Sequence, residues 1–151
     1  MTALPALPAL TVLPALPAFV LALTALLLKA TVLSLVQVVA RARSRAFLTP
    51  EDARLFRVAP AALEAPFVVR CGNVWRNDVE NIPLFLAAAL AFTLLGGDAR
   101  SATWLFGSYV AIRILHTAIY LRGLQPWRAV AYLTSMAVLW AIILNSLTLL
   151  P

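Results

Sequence analysis

Four long apolar runs alternate with polar segments along the chain. They cover about residues 19–40, 77–95, 102–121 and 127–149. Each run is close to the roughly 20 apolar residues that a helix needs to cross the hydrocarbon core of a bilayer. The pattern therefore predicts an all-α integral membrane protein, built as a bundle of four membrane-spanning helices.

The segment before the first run is rich in proline. Residues 1–18 repeat the sequence Leu-Pro-Ala-Leu and contain Pro5, Pro8, Pro14 and Pro17. Each proline lacks a backbone donor and blocks the interior of a helix. We expect an extended or irregular N-terminal leader, followed by the membrane domain.

The predicted membrane domain covers residues 19–151. Its longest polar segment is the loop at 41–76. It carries seven of the twelve cationic residues of the chain. Loops rich in lysine and arginine stay on the cytoplasmic side of a membrane. The loop is therefore predicted to be cytoplasmic, and with four spans both termini are predicted to be non-cytoplasmic.

Composition agrees with a membrane protein. The chain is 63% hydrophobic and 12% charged, with a mean hydropathy of +0.93, whereas about a quarter of the residues in a soluble domain are charged. The net charge is +6, but seven of the twelve cations lie in the loop at 41–76 and Arg122 and Arg128 bracket a later one, a distribution that argues against a nucleic-acid-binding surface. With Cys71 as the only cysteine and a single histidine, an intrachain disulfide is impossible and a metal site is not expected.

A polar cluster opens the second predicted span. Arg76, Asn77 and Glu80 fall within one helical turn, and the four-residue spacing places Arg76 and Glu80 on one face. Charges at the mouth of a membrane helix are costly unless they pair or bind a ligand, so they indicate a functional site. The alternative is that Arg76 and Glu80 form an interfacial ion pair that only anchors the helix.

The later spans carry polar residues at the same end. Arg113, His116 and Tyr120 lie three and four residues apart, so they share one helical face. Arg128 and Tyr132 begin the last span, where the helix dipole and free backbone N–H groups favour an anion. These two groups predict an anion-binding site at the cytoplasmic ends of the helices.

The first span adds cations to the picture. Lys29 lies near its middle and must face the bundle interior or extend to the interface, and Arg41 lies at its end. Four helices thus direct cations, a carboxylate and aromatic hydroxyls to one depth, which suits a small zwitterionic polyanion. The candidate residues are Arg41, Arg76, Asn77, Glu80, Arg113, His116, Tyr120, Arg128 and Tyr132.

Four segments of the chain together resemble the MAPEG family, the membrane-associated proteins of eicosanoid and glutathione metabolism. The branch they are most similar to contains the microsomal glutathione transferases and microsomal prostaglandin E synthases. The similarity covers nearly the whole chain from Phe19 onward. The segments that carry it are RAFLTPED at 45–52, RNDVEN at 76–81, RILHTAIYL at 113–121, and Arg128 with Tyr132.

The resemblance implies a fold, a cofactor and a reaction. It implies a homotrimer of four-helix subunits with glutathione, as cosubstrate, bound between adjacent subunits near the cytoplasmic face. The nine candidate residues match the family's glutathione-contacting positions, and Arg128 matches the arginine that stabilises the thiolate, which makes it the expected catalytic residue. The implied function is a glutathione transferase or peroxidase that acts on hydrophobic electrophiles or lipid hydroperoxides.

Two departures from the family pattern bear on the reaction. Ala129 follows Arg128 where the prostaglandin synthase branch has a serine proposed to assist the thiolate, so we do not expect prostaglandin E synthase activity. The segment Asn73-Val74-Trp75 replaces an Arg-Ala-His sequence and removes cationic capacity at that edge of the site.

Two other functions are compatible with the same helices. One is a non-catalytic member of the family that binds a lipid or a partner, although such members typically lack the full glutathione set. The other is a structural bundle in which the inward charges only specify helix pairing. A transporter is disfavoured because the charges cluster at one end and no inverted repeat is present.

Overall fold

A computed structural model of the chain describes residues 13–150, and the regular structure in that part is entirely helical. The all-α prediction is therefore confirmed. In chain order the five helices are α1 Leu16–Ser44, α2 Pro50–Leu55, α3 Pro66–Leu94, α4 Ala99–Arg122 and α5 Trp127–Leu147.

Within residues 13–150, three of these helices are long and apolar enough to cross a membrane: α1, α4 and α5. The second predicted span lies on α3, which is as long as α1 but is not among the three. Its first half carries the polar residues Arg76, Asn77, Asp78, Glu80 and Asn81. Local composition therefore identifies three spans, one fewer than the apolar runs predicted.

Helix α1 begins earlier than predicted. Leu16–Ala18, which we expected to belong to an irregular leader, form its first turn. Pro17 is accommodated there because the first N–H groups of a helix have no partner within it. Residues 13–15 form a turn just before the helix, and residues 1–12 of the predicted leader lie outside the part of the chain that the structure describes.

The core lies where α3 and α4 face each other. Phe85 of α3 stacks on Tyr109 of α4 with ring centroids 4.0 Å apart, and Phe92 meets Phe106 edge to face at 5.8 Å. All four rings are buried. Helices α3 and α4 each also contact α1 and α5, so they form the inner pair of the bundle.

Tight connections join α3 to α4 and α4 to α5, so that consecutive helices run in opposite directions. Asp98 caps α4 by accepting a hydrogen bond from the Ser101 backbone N–H at 2.9 Å, and this bond holds the pKa of the Asp98 carboxyl below its usual value. Gly123 ends α4 in the left-handed conformation, at φ 69°. The first half of α3, the end of α4 and the start of α5 consequently lie side by side.

Candidate functional site

A polar cleft of about 410 Å³ opens where these three segments meet. Its volume falls within the range of about 300–1,000 Å³ that is usual for sites that bind small molecules. Ten residues line it: Asn73, Arg76, Asn77, Glu80, His116, Tyr120, Gln125, Arg128, Ala129 and Tyr132.

Seven of the nine candidate residues from the sequence line this cleft, and two do not. Arg113 lies beneath the cleft and is fully buried. Arg41 is outside it, on the half-buried end of α1. The cleft also includes Asn73 and Ala129, which the sequence marked as departures from the family pattern, and Gln125, which it did not single out. Gln125 lies in the connection between α4 and α5, and the fold, not a motif, brings it to the cleft.

Arg41 is engaged elsewhere in the subunit. Its guanidinium pairs with Glu64, in the linker between α2 and α3, at 2.7 Å from Nη2 to Oε1. Helix α1 contacts α3 and α4 but not α5. The end of α1 is therefore kept away from the cleft.

Arg76 and Glu80 both line the cleft and are exposed. Among residues 13–150 the ion pairs are Lys29–Asp78, Arg41–Glu64 and Arg113–Asp78, so Arg76 and Glu80 do not pair with each other. The structure does not support the interfacial ion pair considered above. Both charged groups are free to contact a ligand.

Arg128 is held in place by two neighbours. Its Cζ lies 4.6 Å from the centroid of the Tyr120 ring, a cation–π contact. A guanidinium can only donate hydrogen bonds. The Gln125 amide therefore turns its oxygen toward Arg128, where it accepts from Nε at 3.0 Å and from Nη2 at 2.7 Å. This half-buried cation is thus oriented before any ligand arrives.

The start of α5 offers fewer free N–H groups than the sequence led us to expect. The backbone N–H of Arg128 donates to the Leu124 carbonyl, and those of Ala129 and Val130 donate to the Pro126 carbonyl. Attraction of an anion at this point therefore depends on the charge of Arg128 and on the helix dipole, with little direct hydrogen bonding from the helix terminus.

A buried ionic cluster lies behind the cleft. The Asp78 carboxylate accepts a hydrogen bond from Lys29 Nζ at Oδ2 and one from Arg113 Nη2 at Oδ1, the latter at 2.5 Å. Lys29 is 9% exposed, Asp78 4% and Arg113 0%. Lys29 therefore faces the bundle interior, which is one of the two placements its position in the sequence allowed.

The sequence contained a signal for Asp78, although it assigned that residue no role. A lysine near the middle of a span needs a carboxylate partner when it faces the interior. Asp78 and Glu80 are the acidic residues within the predicted spans. Lys29 thus predicted an ion pair with one of these two carboxylates. The rotation of α3 in the bundle places Asp78, and not Glu80, next to Lys29.

The cluster is connected to the cleft through Arg113. Its Nη2 also donates to Asn77 Oδ1 at 2.8 Å. Within residues 13–150, Arg113 Nε, Arg113 Nη1 and His116 Nδ1 have no hydrogen-bond partner. Two cations share one carboxylate in this cluster, so the region beneath the cleft carries an excess positive charge that favours an anionic ligand.

Comparison with known proteins agrees with the resemblance drawn from the motifs. The model of the MAPEG family matches residues 19–148. Human prostaglandin E synthase is 35% identical over 115 residues, which cover 76% of this chain and 76% of that protein. Rat microsomal glutathione S-transferase 1 is 34% identical over 120 residues, which cover 76% of this chain and 77% of that protein.

Proposed function

Because the chain belongs to the MAPEG family, we propose that it is a glutathione-dependent membrane enzyme that activates the glutathione thiol. Its second substrate is a hydrophobic electrophile or a lipid hydroperoxide. The observation that carries this proposal is the cleft, in which the Arg76 and Arg128 guanidinium groups, the Glu80 carboxylate and the Asn77 amide surround one small-molecule-sized space.

The charges of the cleft suit the ionised form of glutathione. Four cations lie in or beneath it, and they are opposed by the carboxylates of Asp78 and Glu80. Two positive charges therefore remain uncompensated. Glutathione has two carboxylates and one ammonium group, so its thiolate form carries two net negative charges. The four cations are Lys29, Arg76, Arg113 and Arg128.

Thiol activation follows from Arg128. A free thiol has a pKa of about 8.5 and is mostly protonated at neutral pH, and a neighbouring cation lowers that value. The thiolate then attacks the electrophilic carbon and forms a thioether. Either a leaving group such as a halide departs or, on addition to an activated double bond, the π bond breaks and the resulting carbanion takes up a proton. With a hydroperoxide the thiolate attacks the terminal oxygen and breaks the O–O bond, and uptake of one proton gives an alcohol and glutathione sulfenic acid. A second glutathione thiol then condenses with the sulfenic acid to form the disulfide and water.

We further propose that four helices cross the membrane and that the subunits form a homotrimer. Helix α3 crosses because its polar residues face the cleft and the buried cluster, not lipid. Arg41 matches a glutathione-contacting position of the family, yet it lies outside the cleft of its own subunit. In the trimer it serves the cleft of an adjacent subunit, at the cytoplasmic face, and both termini lie on the opposite side.

Prostaglandin E synthase is the second candidate, since relatives of that name are similar over three quarters of the chain. Ala129 disfavours it. This residue lines the cleft directly beside Arg128 and supplies no hydroxyl group to the thiolate. A transferase or peroxidase requires only the cation at this position.

The ultraviolet absorbance of the glutathione thiolate tests the proposed function. Glutathione is added to the purified protein in detergent, and the absorbance is followed as the pH is raised. We expect a thiolate signal at a pH well below that at which free glutathione ionises. Binding without ionisation would favour the non-catalytic binding protein, and the absence of binding would contradict the proposal.

Replacement of Glu80 tests recognition of the amino group. In Glu80→Gln we expect glutathione to bind about 10- to 100-fold more weakly, because a hydrogen bond to a charged group is worth about 1.5–3 kcal/mol. Calorimetric titration with glutathione measures the loss. Titration with an analogue that lacks the amino group should give equal affinities for the wild type and the variant.

Glu51→Gln is the matched control, since Glu51 is an exposed carboxylate on α2 that does not line the cleft. It should bind glutathione as the wild type does. If Glu80→Gln weakened the two ligands equally, Glu80 would not contact the amino group.

A further inference from the structure

Two consecutive residues of α3 face opposite surroundings. Asn77 is half-buried and lines the cleft, whereas Asp78 is buried between Lys29 and Arg113. One atom joins them, because Arg113 Nη2 donates to Asp78 Oδ1 at 2.5 Å and to Asn77 Oδ1 at 2.8 Å. The orientation of the Asn77 side chain, which lines the cleft, is therefore coupled to the position of Arg113 in the buried cluster.

The bond from Arg113 determines which end of the Asn77 amide is available. An amide carries an acceptor oxygen and a donor NH₂ group, and a guanidinium has donors only. Asn77 Oδ1 is therefore held toward Arg113. Asn77 Nδ2 has no hydrogen-bond partner within residues 13–150, so the side chain presents a donor to the cleft.

Lys29 bonds the side of Asp78 that faces away from Arg113. It reaches Asp78 from α1, across 49 positions of sequence, and occupies Oδ2 of the carboxylate. With one oxygen bonded to Lys29 and the other to Arg113, the Asp78 carboxylate cannot rotate without breaking a buried ion pair. The orientation of Arg113, and through it that of Asn77, is set by a residue that does not line the cleft.

We propose that Lys29, Asp78 and Arg113 form a positioning relay that fixes the Asn77 amide as a hydrogen-bond donor in the cleft. The cleft thereby selects ligands with a carboxylate or carbonyl oxygen at that point. This inference rests on the proposed function for its choice of ligand, since glutathione offers such oxygens. Lys29 and Asp78 act through Asn77 and are positioning residues.

A purely structural role for the same residues makes a different prediction. The cluster joins α1, α3 and α4, so its loss lowers stability in either case. If stability were its only role, the loss of Lys29 would change glutathione affinity by the same factor whether or not Asn77 were present. If the relay acts through Asn77, the effect of Lys29 falls, once Asn77 is replaced, to what the loss of one positive charge beneath the cleft causes by itself.

The test is a double-mutant cycle of Lys29→Met and Asn77→Ala. Methionine fills a similar volume and leaves Asp78 and Arg113 as a neutral pair. By calorimetry we expect Lys29→Met to weaken glutathione binding about 3- to 10-fold in the wild-type background and less than about 2-fold in Asn77→Ala. Equal factors in the two backgrounds would overturn the relay, whereas Lys29→Arg should restore most of the affinity.

A ligand-free measurement separates failure of the relay from failure of the proposed function. The protein is labelled with ¹⁵N at asparagine, and the side-chain NH₂ signal of Asn77 is identified by its absence in Asn77→Ala. We expect Lys29→Met to shift or broaden that signal. The signal of Asn145, whose amide donates to the Ala141 carbonyl on α5 at 2.8 Å, should not change.

An unchanged Asn77 signal would overturn the relay even if glutathione binds. A changed signal in a protein that does not bind glutathione would support the relay and contradict the proposed function.

If Lys29→Met does not fold, Asn77→Asp provides the second test, since aspartate keeps an oxygen for Arg113 and loses the donor. It should bind glutathione at least about 10-fold more weakly, and wild-type affinity would overturn the relay.

Discussion

Replacing Arg128 by alanine is expected to raise the pH at which bound glutathione ionises by about 1–3 units, because a cation next to an acidic group favours its charged form to that extent. Turnover at neutral pH should fall about 10²- to 10³-fold, as when one preorganised charge-stabilising group is removed from an active site. Glutathione should still bind in part, through Arg76, Asn77 and Glu80. Thiolate absorbance as a function of pH and the rate of conjugation of 1-chloro-2,4-dinitrobenzene measure the two effects.

Two variants serve as controls for this result. Arg122→Ala removes an exposed arginine from the end of α4 that does not line the cleft, and it should leave the pH profile unchanged. Arg128→Lys keeps the charge but loses the planar group that contacts Tyr120 and Gln125, so it should shift the profile less than alanine does. An unshifted profile in Arg128→Ala would move thiolate stabilisation to another cation of the cleft, with Arg76 the first to test.

Asp78→Ala is expected to destabilise the protein more than any other single change in the polar residues. It removes the carboxylate that, within residues 13–150, pairs with both Lys29 and Arg113, and both cations are buried. Breaking a buried ion pair by removing one partner costs about 3–5 kcal/mol, which is a large part of the roughly 5–15 kcal/mol by which proteins are stable. Thermal unfolding in detergent, followed by circular dichroism, should show a large loss of stability or no folded protein.

The cost should depend on which partner is removed. Lys29→Met should destabilise less than Asp78→Ala, because it leaves one carboxylate paired with one cation. Glu51→Ala removes an exposed carboxylate and should change stability by no more than about 0.5 kcal/mol. If Asp78→Ala were as stable as the wild type, the Lys29 amine would have another route to solvent, and the buried cluster would not hold the helices together.

The sequence alone determined the helical class and which polar residues share one helical face. Both are local properties, because the length of an apolar run sets the helix and a spacing of three or four residues sets a face. Arg113, His116 and Tyr120 illustrate this, since the spacing on α4 is enough to align them. The segments at 45–52, 76–81 and 113–121, together with Arg128 and Tyr132, were likewise sufficient to identify the family.

Local patterns did not determine the rotation of each helix within the bundle. Neighbours in sequence such as Asn77 and Asp78 differ by about a quarter of a turn, and only packing decided that one faces the cleft and the other the core. Packing also paired Lys29 with Asp78 and kept Arg41 out of the cleft. Contacts between residues far apart in the chain depend on how helices rotate and pack together, and no spacing within one helix encodes that arrangement.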